Sequence, residues 1–166
     1  LGWFAMANAI LLMLVGLRFL QMAGRPDTPI AKLFLPLAWI GHFTTVALAG
    51  VLPAALLALI WPRRALVVPL AIAASGFILV ATALDAAVFH LYRFHLNGMV
   101  WSLIVNGGLT EILPLTVTTW LLMAGAALLL LALEIGCAFA VRAWIRRPRR
   151  HGPLLAAALL LVVLAG

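Results

Sequence analysis

The sequence predicts an all-α integral membrane protein: a five-transmembrane-helix bundle, a short interfacial helix between helices three and four, and a last helix that is cut short. Three observations carry this expectation. Hydrophobic residues make up 67% of the 166 residues and charged residues 9%, whereas an ordinary soluble domain is about 45–50% apolar. Apolar runs of a length that crosses a hydrocarbon core of about 30 Å, at about 1.5 Å per helical residue, recur along the chain. Between the runs, Lys and Arg gather in short connections, the pattern of cytoplasmic loops that follow the positive-inside rule.

Helix one is expected over Gly2–Met22. That run is too long for a signal-peptide core and carries no cleavage site. A turn-rich stretch with Gly24, Pro26, Asp27 and Pro29 follows. Helix two is expected over Leu33–Ile60, with Pro36 in its first turn, where a missing N–H does little harm. Pro53 lies deep in the same helix and should kink it. The connection Trp61-Pro62-Arg63-Arg64 is tight, and helix three is expected over Leu66–Phe89. Asn97-Gly98 predicts a break before a short interfacial helix, Met99–Val105. Helix four is expected over Ile112–Val141, long enough to tilt or protrude. Pro153 opens helix five, whose 14 residues to Gly166 cover roughly 21 Å. The whole chain, 1–166, therefore reads as a single transmembrane domain. A soluble domain is expected after Gly166, outside this sequence.

Charge sets an expected orientation. The net charge is +7, and five of the eleven Lys and Arg residues lie in Arg142–Arg150. Arg63, Arg64, Arg142, Arg146, Arg147, Arg149 and Arg150 share one side of the bundle, while Arg18, Arg25, Lys32 and Arg93 lie on the other. The excess assigns the first group to the cytoplasm, with the N-terminus cytoplasmic and the C-terminus periplasmic in a multi-pass inner-membrane protein. This distribution explains the basic balance through topology and points away from nucleic acid. The cytoplasmic patch could also attract anionic lipid, at about 1 kcal/mol per basic residue.

Few residues in the apolar runs can do chemistry. Arg18, His42 and Asp85 are ionisable groups at the same expected depth, in the outer half of the bilayer. An Arg or Asp at a helix centre costs about 2.5–3.5 kcal/mol on insertion scales, so such groups seek partners. An Arg18–Asp85 ion pair with His42 nearby is one arrangement; three separate interfacial residues are the other. Glu134 lies near the cytoplasmic end of helix four, at the opposite depth from Asp85, so the two acids cannot form a catalytic pair. It could form a packing hydrogen bond, reach Arg63, Arg64 or Arg142, or meet a partner. Ala132, Gly136 and Ala140 make a small-residue ridge suited to close helix contact.

Val88–Glu111 mixes rings with polar groups in a way that suits the headgroup level. His90, Tyr92, Arg93, His95, Asn97 and Trp101 are its candidates for touching lipid. A metal site built on Asp85, His90 and His95 is disfavoured, because steps of five residues scatter side chains around a helix unless the helix breaks between them. Cys137 is the only cysteine, and Ser75 and Ser102 are the only serines. No nucleophile–base constellation, phosphate loop or dinucleotide fingerprint accompanies them. No catalytic residue, metal site or cofactor is expected.

A set of strings in this chain resembles the membrane domain of the YejM (PbgA) family of Gram-negative inner-membrane proteins. They are Asp85-x-x-Val88-Phe89, Phe94-His95-Leu96-Asn97, Val100-Trp101-x-Leu103-x-x-Asn106, Ile40-Gly41-His42-Phe43 and Gly16-x-Arg18, with proline-flanked Arg and His residues before helix five. The similarity spans essentially the whole chain. It departs at Asn106-Gly107-Gly108, which replaces a more acidic segment. The resemblance implies a five-helix domain followed by a periplasmic sulfatase-like domain. It also implies a role in controlling lipopolysaccharide synthesis, with lipopolysaccharide (through lipid A), cardiolipin or another anionic phospholipid as lipid partners and a LapB-like membrane protein as protein partner.

The expected function is thus a non-catalytic regulatory and interaction domain that senses or binds such lipids and signals through helix contacts. Two alternatives of other classes stand beside it. One is a lipid (cardiolipin) transport subunit, which needs a continuous polar path across the bundle. The other is a simple anchor for a periplasmic sulfatase-like hydrolase.

Overall fold

Helix boundaries in this chain are decided by caps as much as by hydropathy. In a computed structural model, which describes residues 1–22, 26–98, 102, 105–106 and 116–145, four helices are seen. They are α1 (Gly2–Met22), α2 (Pro29–Ile60), α3 (Arg64–Tyr92) and α4 (Val117–Ile145). All four are long and apolar enough to cross a membrane. The expected fifth helix and most of the expected interfacial helix lie outside the described residues.

Several boundaries differ from the sequence expectation. Helix α2 begins one turn early, because the Thr28 hydroxyl accepts from the Ala31 N–H at 3.2 Å and Pro29 stands at the first helical position. Helix α4 begins at Val117, with the Thr116 hydroxyl accepting from the Thr119 N–H at 3.3 Å, and the expected start at Ile112 lies outside the described residues. It runs one turn past Val141, so that Arg142 falls in its last turn, where the helix dipole favours a cation. Helix α3 runs to Tyr92 and stops at Arg93, whose φ of 61° is left-handed. Arg93 thus does the work of the usual glycine at this position, four residues before the Asn97-Gly98 pair that predicted the break.

The helices pack antiparallel in sequence order. At one end, Phe4 and Ala5 of α1 meet Val51 and Ala54 of α2 and Val67 and Ala71 of α3, with Ala138 and Val141 of α4 against them. Towards the other end, Ala9 and Leu12 meet Phe43, Ala47 and Leu79, joined by Phe19, Trp39 and Leu130. Close approach needs small residues at the crossings. A methyl at Gly16 would overlap the Phe43 ring, so α1 and α2 touch only because Gly16 has no side chain. A methyl at Gly76 would come within 2.9 Å of Leu131, at the α3–α4 crossing.

Helix α4 packs on α1 and α3 but keeps most of its surface outward. Its inward row is Leu130, Glu134, Ala138 and Val141, spaced by three and four residues. The Ala132, Gly136 and Ala140 ridge points away, and no atom lies within 4 Å of where a Gly136 side chain would start.

Candidate functional site: a lateral cavity and two polar clusters

Asp85 stands two turns before the end of α3, and the left-handed bend at Arg93 folds the chain back onto it. His95 Nδ1 lies 2.8 Å from Asp85 Oδ2, and the Leu96 N–H donates to Asp85 Oδ1. One carboxylate therefore takes both an imidazole contact and a bond from a backbone amide of the segment beyond the helix. The imidazole also lies flat against Phe89, with ring centroids 4.3 Å apart and planes 17° apart. Phe19 of α1 closes the group, 5.8 Å from Phe89 and 5.5 Å from His95. The spacing that argued against a shared face is bypassed because the helix does break. The result is still two groups and not a metal set: no cluster of three or more His, Cys, Asp or Glu occurs among the described residues.

This clasp forms one rim of a cavity of about 780 Å³ between α1, α2 and α3. Its walls are mostly apolar: Phe19, Leu35, Phe43, Val46, Ala81 and Phe89. Its polar groups are His42, Thr82, Asp85, His95 and the indole of Trp39. Trp39 Nε1 is buried and has no hydrogen-bond partner. The Trp39 ring meets Phe43 edge-on at 5.8 Å, and His42 meets the Phe43 ring at 5.2 Å. An oily chamber of this size with a few convergent polar groups has the usual character of a small-molecule site.

Of the three intramembrane ionisable residues, the fold brings His42 and Asp85 to this cavity and sends Arg18 elsewhere. Arg18 lines a separate groove with Leu14, Val15, Ala83, Ala86, Ala87 and His90. The side-chain partner of Asp85 is His95, not Arg18. His90 is thereby separated from His95, although the two are five residues apart.

Glu134 is fully buried, at 0% exposure, and meets none of the arginines it was weighed against. Its Oε1 accepts from Asn8 Nδ2 at 2.9 Å, and the same amide group donates to the Phe4 carbonyl at 3.1 Å. Asn8 Oδ1 and Glu134 Oε2 are both buried without a partner, as is Ser75 Oγ. Sequence reasoning passes over Asn8, although a carboxamide in the apolar first half of α1 is signal enough to look for a buried partner.

Three of the basic residues at the opposite end, Arg63, Arg64 and Arg142, are among the described residues. Arg63 lies over the Trp61 ring, 5.0 Å from its centroid, just before α3, and Arg64 is that helix's first residue. Arg142 closes α4. Arg93 and Asn97 are exposed beside the clasp. Arg146, Arg147, Arg149, Arg150, Trp101 and the Tyr92 side chain lie outside the described residues.

Comparison with known proteins agrees with this architecture. The family described as "Domain of unknown function (DUF3413)" matches residues 1–166. The inner membrane protein YejM of Salmonella typhimurium is 28% identical over 148 residues, covering 86% of this chain and 23% of the relative, and the Salmonella typhi protein matches equally. An uncharacterized protein of Haemophilus influenzae is 31% identical over 108 residues, 63% of this chain and 18% of that one. The chain thus spans under a quarter of the length of these relatives. With every residue matched and four membrane-length helices in place, the chain belongs to the DUF3413 family, as a transmembrane domain of the YejM kind.

Proposed function

We propose that this domain is a non-catalytic, lipid-responsive membrane module whose lateral cavity holds the acyl portion of a membrane lipid. The observation that carries it is the cavity itself, with apolar walls on three helices and an unpartnered Trp39 N–H, His42 and the Asp85–His95 clasp among its lining. Lipopolysaccharide or an anionic phospholipid such as cardiolipin is the proposed ligand. The orientation is the one the basic residues favour, with the clasp end periplasmic.

The output of the module is contact with a membrane-protein partner, LapB-like in kind, and through it control of lipopolysaccharide synthesis. This part of the proposal is supported by the outward ridge of Ala132, Gly136 and Ala140, which suits close approach of another helix. A transport role is less well supported. The Asn8–Glu134 pair and the clasp are separated by the packed layer of Leu12, Ala47 and Leu79, each nearly inaccessible.

The test is lipid retention by native mass spectrometry after reconstitution in nanodiscs of phosphatidylethanolamine, phosphatidylglycerol, cardiolipin and lipopolysaccharide. Ala81→Phe, which places a ring into the cavity, should lower the number of retained lipids without loss of thermal stability. Equal lipid on both proteins, or turnover of any of these lipids by the chain, would overturn the reading.

A further inference from the structure

We propose a second lipid site, on the opposite flank of the α1–α3 seam, that selects for a negatively charged phosphodiester headgroup. The groove of about 480 Å³ there is lined by Leu14, Val15 and Arg18 of α1 and by Ala83, Ala86, Ala87 and His90 of α3. The α3 positions recur at intervals of three and four residues, so they form one stripe. Three alanines make its floor shallow and smooth, shaped for an extended hydrocarbon chain. Leu14 and Val15 form the apolar wall, and both basic groups sit where the stripe runs towards the end of α3.

The charge balance of this groove is what names its occupant. It carries a permanent guanidinium and an imidazole, and no acidic residue lines it. The acid of α3, Asp85, faces the other cavity and is occupied by His95 and the Leu96 N–H. Among the described residues, Arg18 makes no ion pair. A guanidinium on a membrane-length apolar helix is costly without an anion, and it presents a planar fork that matches phosphate oxygens. A lipid phosphate, tethered to a chain that lies over the alanines, supplies the anion at the depth where Arg18 sits. The site does not depend on the cavity reading above, since no residue lines both.

The chain is reconstituted in nanodiscs of mixed phosphatidylglycerol and phosphatidylcholine, and the lipids retained after release are counted by native mass spectrometry. The wild-type chain is expected to retain phosphatidylglycerol in preference to phosphatidylcholine. Arg18→Gln should cut that preference by about tenfold, the scale of a lost charge-assisted contact, while Arg18→Lys keeps most of it. Ala87→Leu, at an exposed floor position, should reduce retention of both lipids in the groove. Millimolar glycerol 3-phosphate should leave the bound lipid in place; displacement by it would mean a free-phosphate site and would overturn the lipid assignment. An unchanged preference in Arg18→Gln, together with unchanged lipid retention in Ala87→Leu, would sink the proposal outright. Ala81→Phe, in the other cavity, should leave the Arg18-dependent preference intact. If Arg18→Gln fails to fold, the Ala87→Leu result decides alone.

Discussion

Asp85 and His95 are ten residues apart in sequence and 2.8 Å apart in space, and the left-handed turn at Arg93 is what closes that distance. The pair is half open to its surroundings, with 56% of the His95 side chain and 23% of the Asp85 side chain accessible. Its Coulombic part is correspondingly modest. Its structural value lies in the second bond, from the Leu96 N–H, which ties the segment after α3 to the helix.

Asp85→Ala should therefore loosen residues 94–97 more than it lowers global stability. The expected cost is about 1.5–3 kcal/mol, the range for a lost bond to a charged acceptor. Hydrogen exchange should rise at Leu96 and its neighbours, while protection in the middle of α2 stays unchanged. His95→Ala should have a smaller effect, because Asp85 still accepts from the backbone. Equal exchange at Leu96 in wild type and Asp85→Ala would contradict the clasp.

The Asn8–Glu134 pair makes a sharper prediction. Asn8 donates to Glu134, yet Asn8 Oδ1 and Glu134 Oε2 are left unpartnered in the core. Glu134→Gln keeps the shape and adds an N–H₂ group that can face Asn8 Oδ1, so it should be neutral or stabilising. Glu134→Leu leaves the Asn8 amide without its acceptor across the helix interface, at a cost of about 1–3 kcal/mol. Thermal unfolding in detergent separates the two, and a Gln variant less stable than the Leu variant would reverse the argument.

Gly16 is expected to tolerate no side chain. A methyl there meets the Phe43 ring, so Gly16→Ala must push α1 from α2 or turn the ring out of the core. Overpacking of this kind costs about 1–3 kcal/mol. Gly136→Ala, with open space around it, is the matched control and should be silent. A lowered melting temperature for the first alone is the expected result.

The class of this protein and the approximate positions of its four described helices are legible in the sequence, because hydropathy over twenty residues reports directly on solvation by hydrocarbon. The rare polar residues in those runs, Arg18, His42, Asp85 and Glu134, also announce themselves, since each is expensive where it stands. Their partners do not. Depth along a helix can be counted, but the angle around it relative to neighbours is set by packing. That angle places Asp85 and Arg18 on opposite flanks of the α1–α3 seam. Only the tertiary structure brings Asn8 to Glu134, 126 residues away, and turns the small-residue ridge of α4 outward. In lipid, nearly any apolar face can be satisfied by the surroundings, so sequence alone leaves rotation undetermined, and the few polar contacts and glycine crossings decide it.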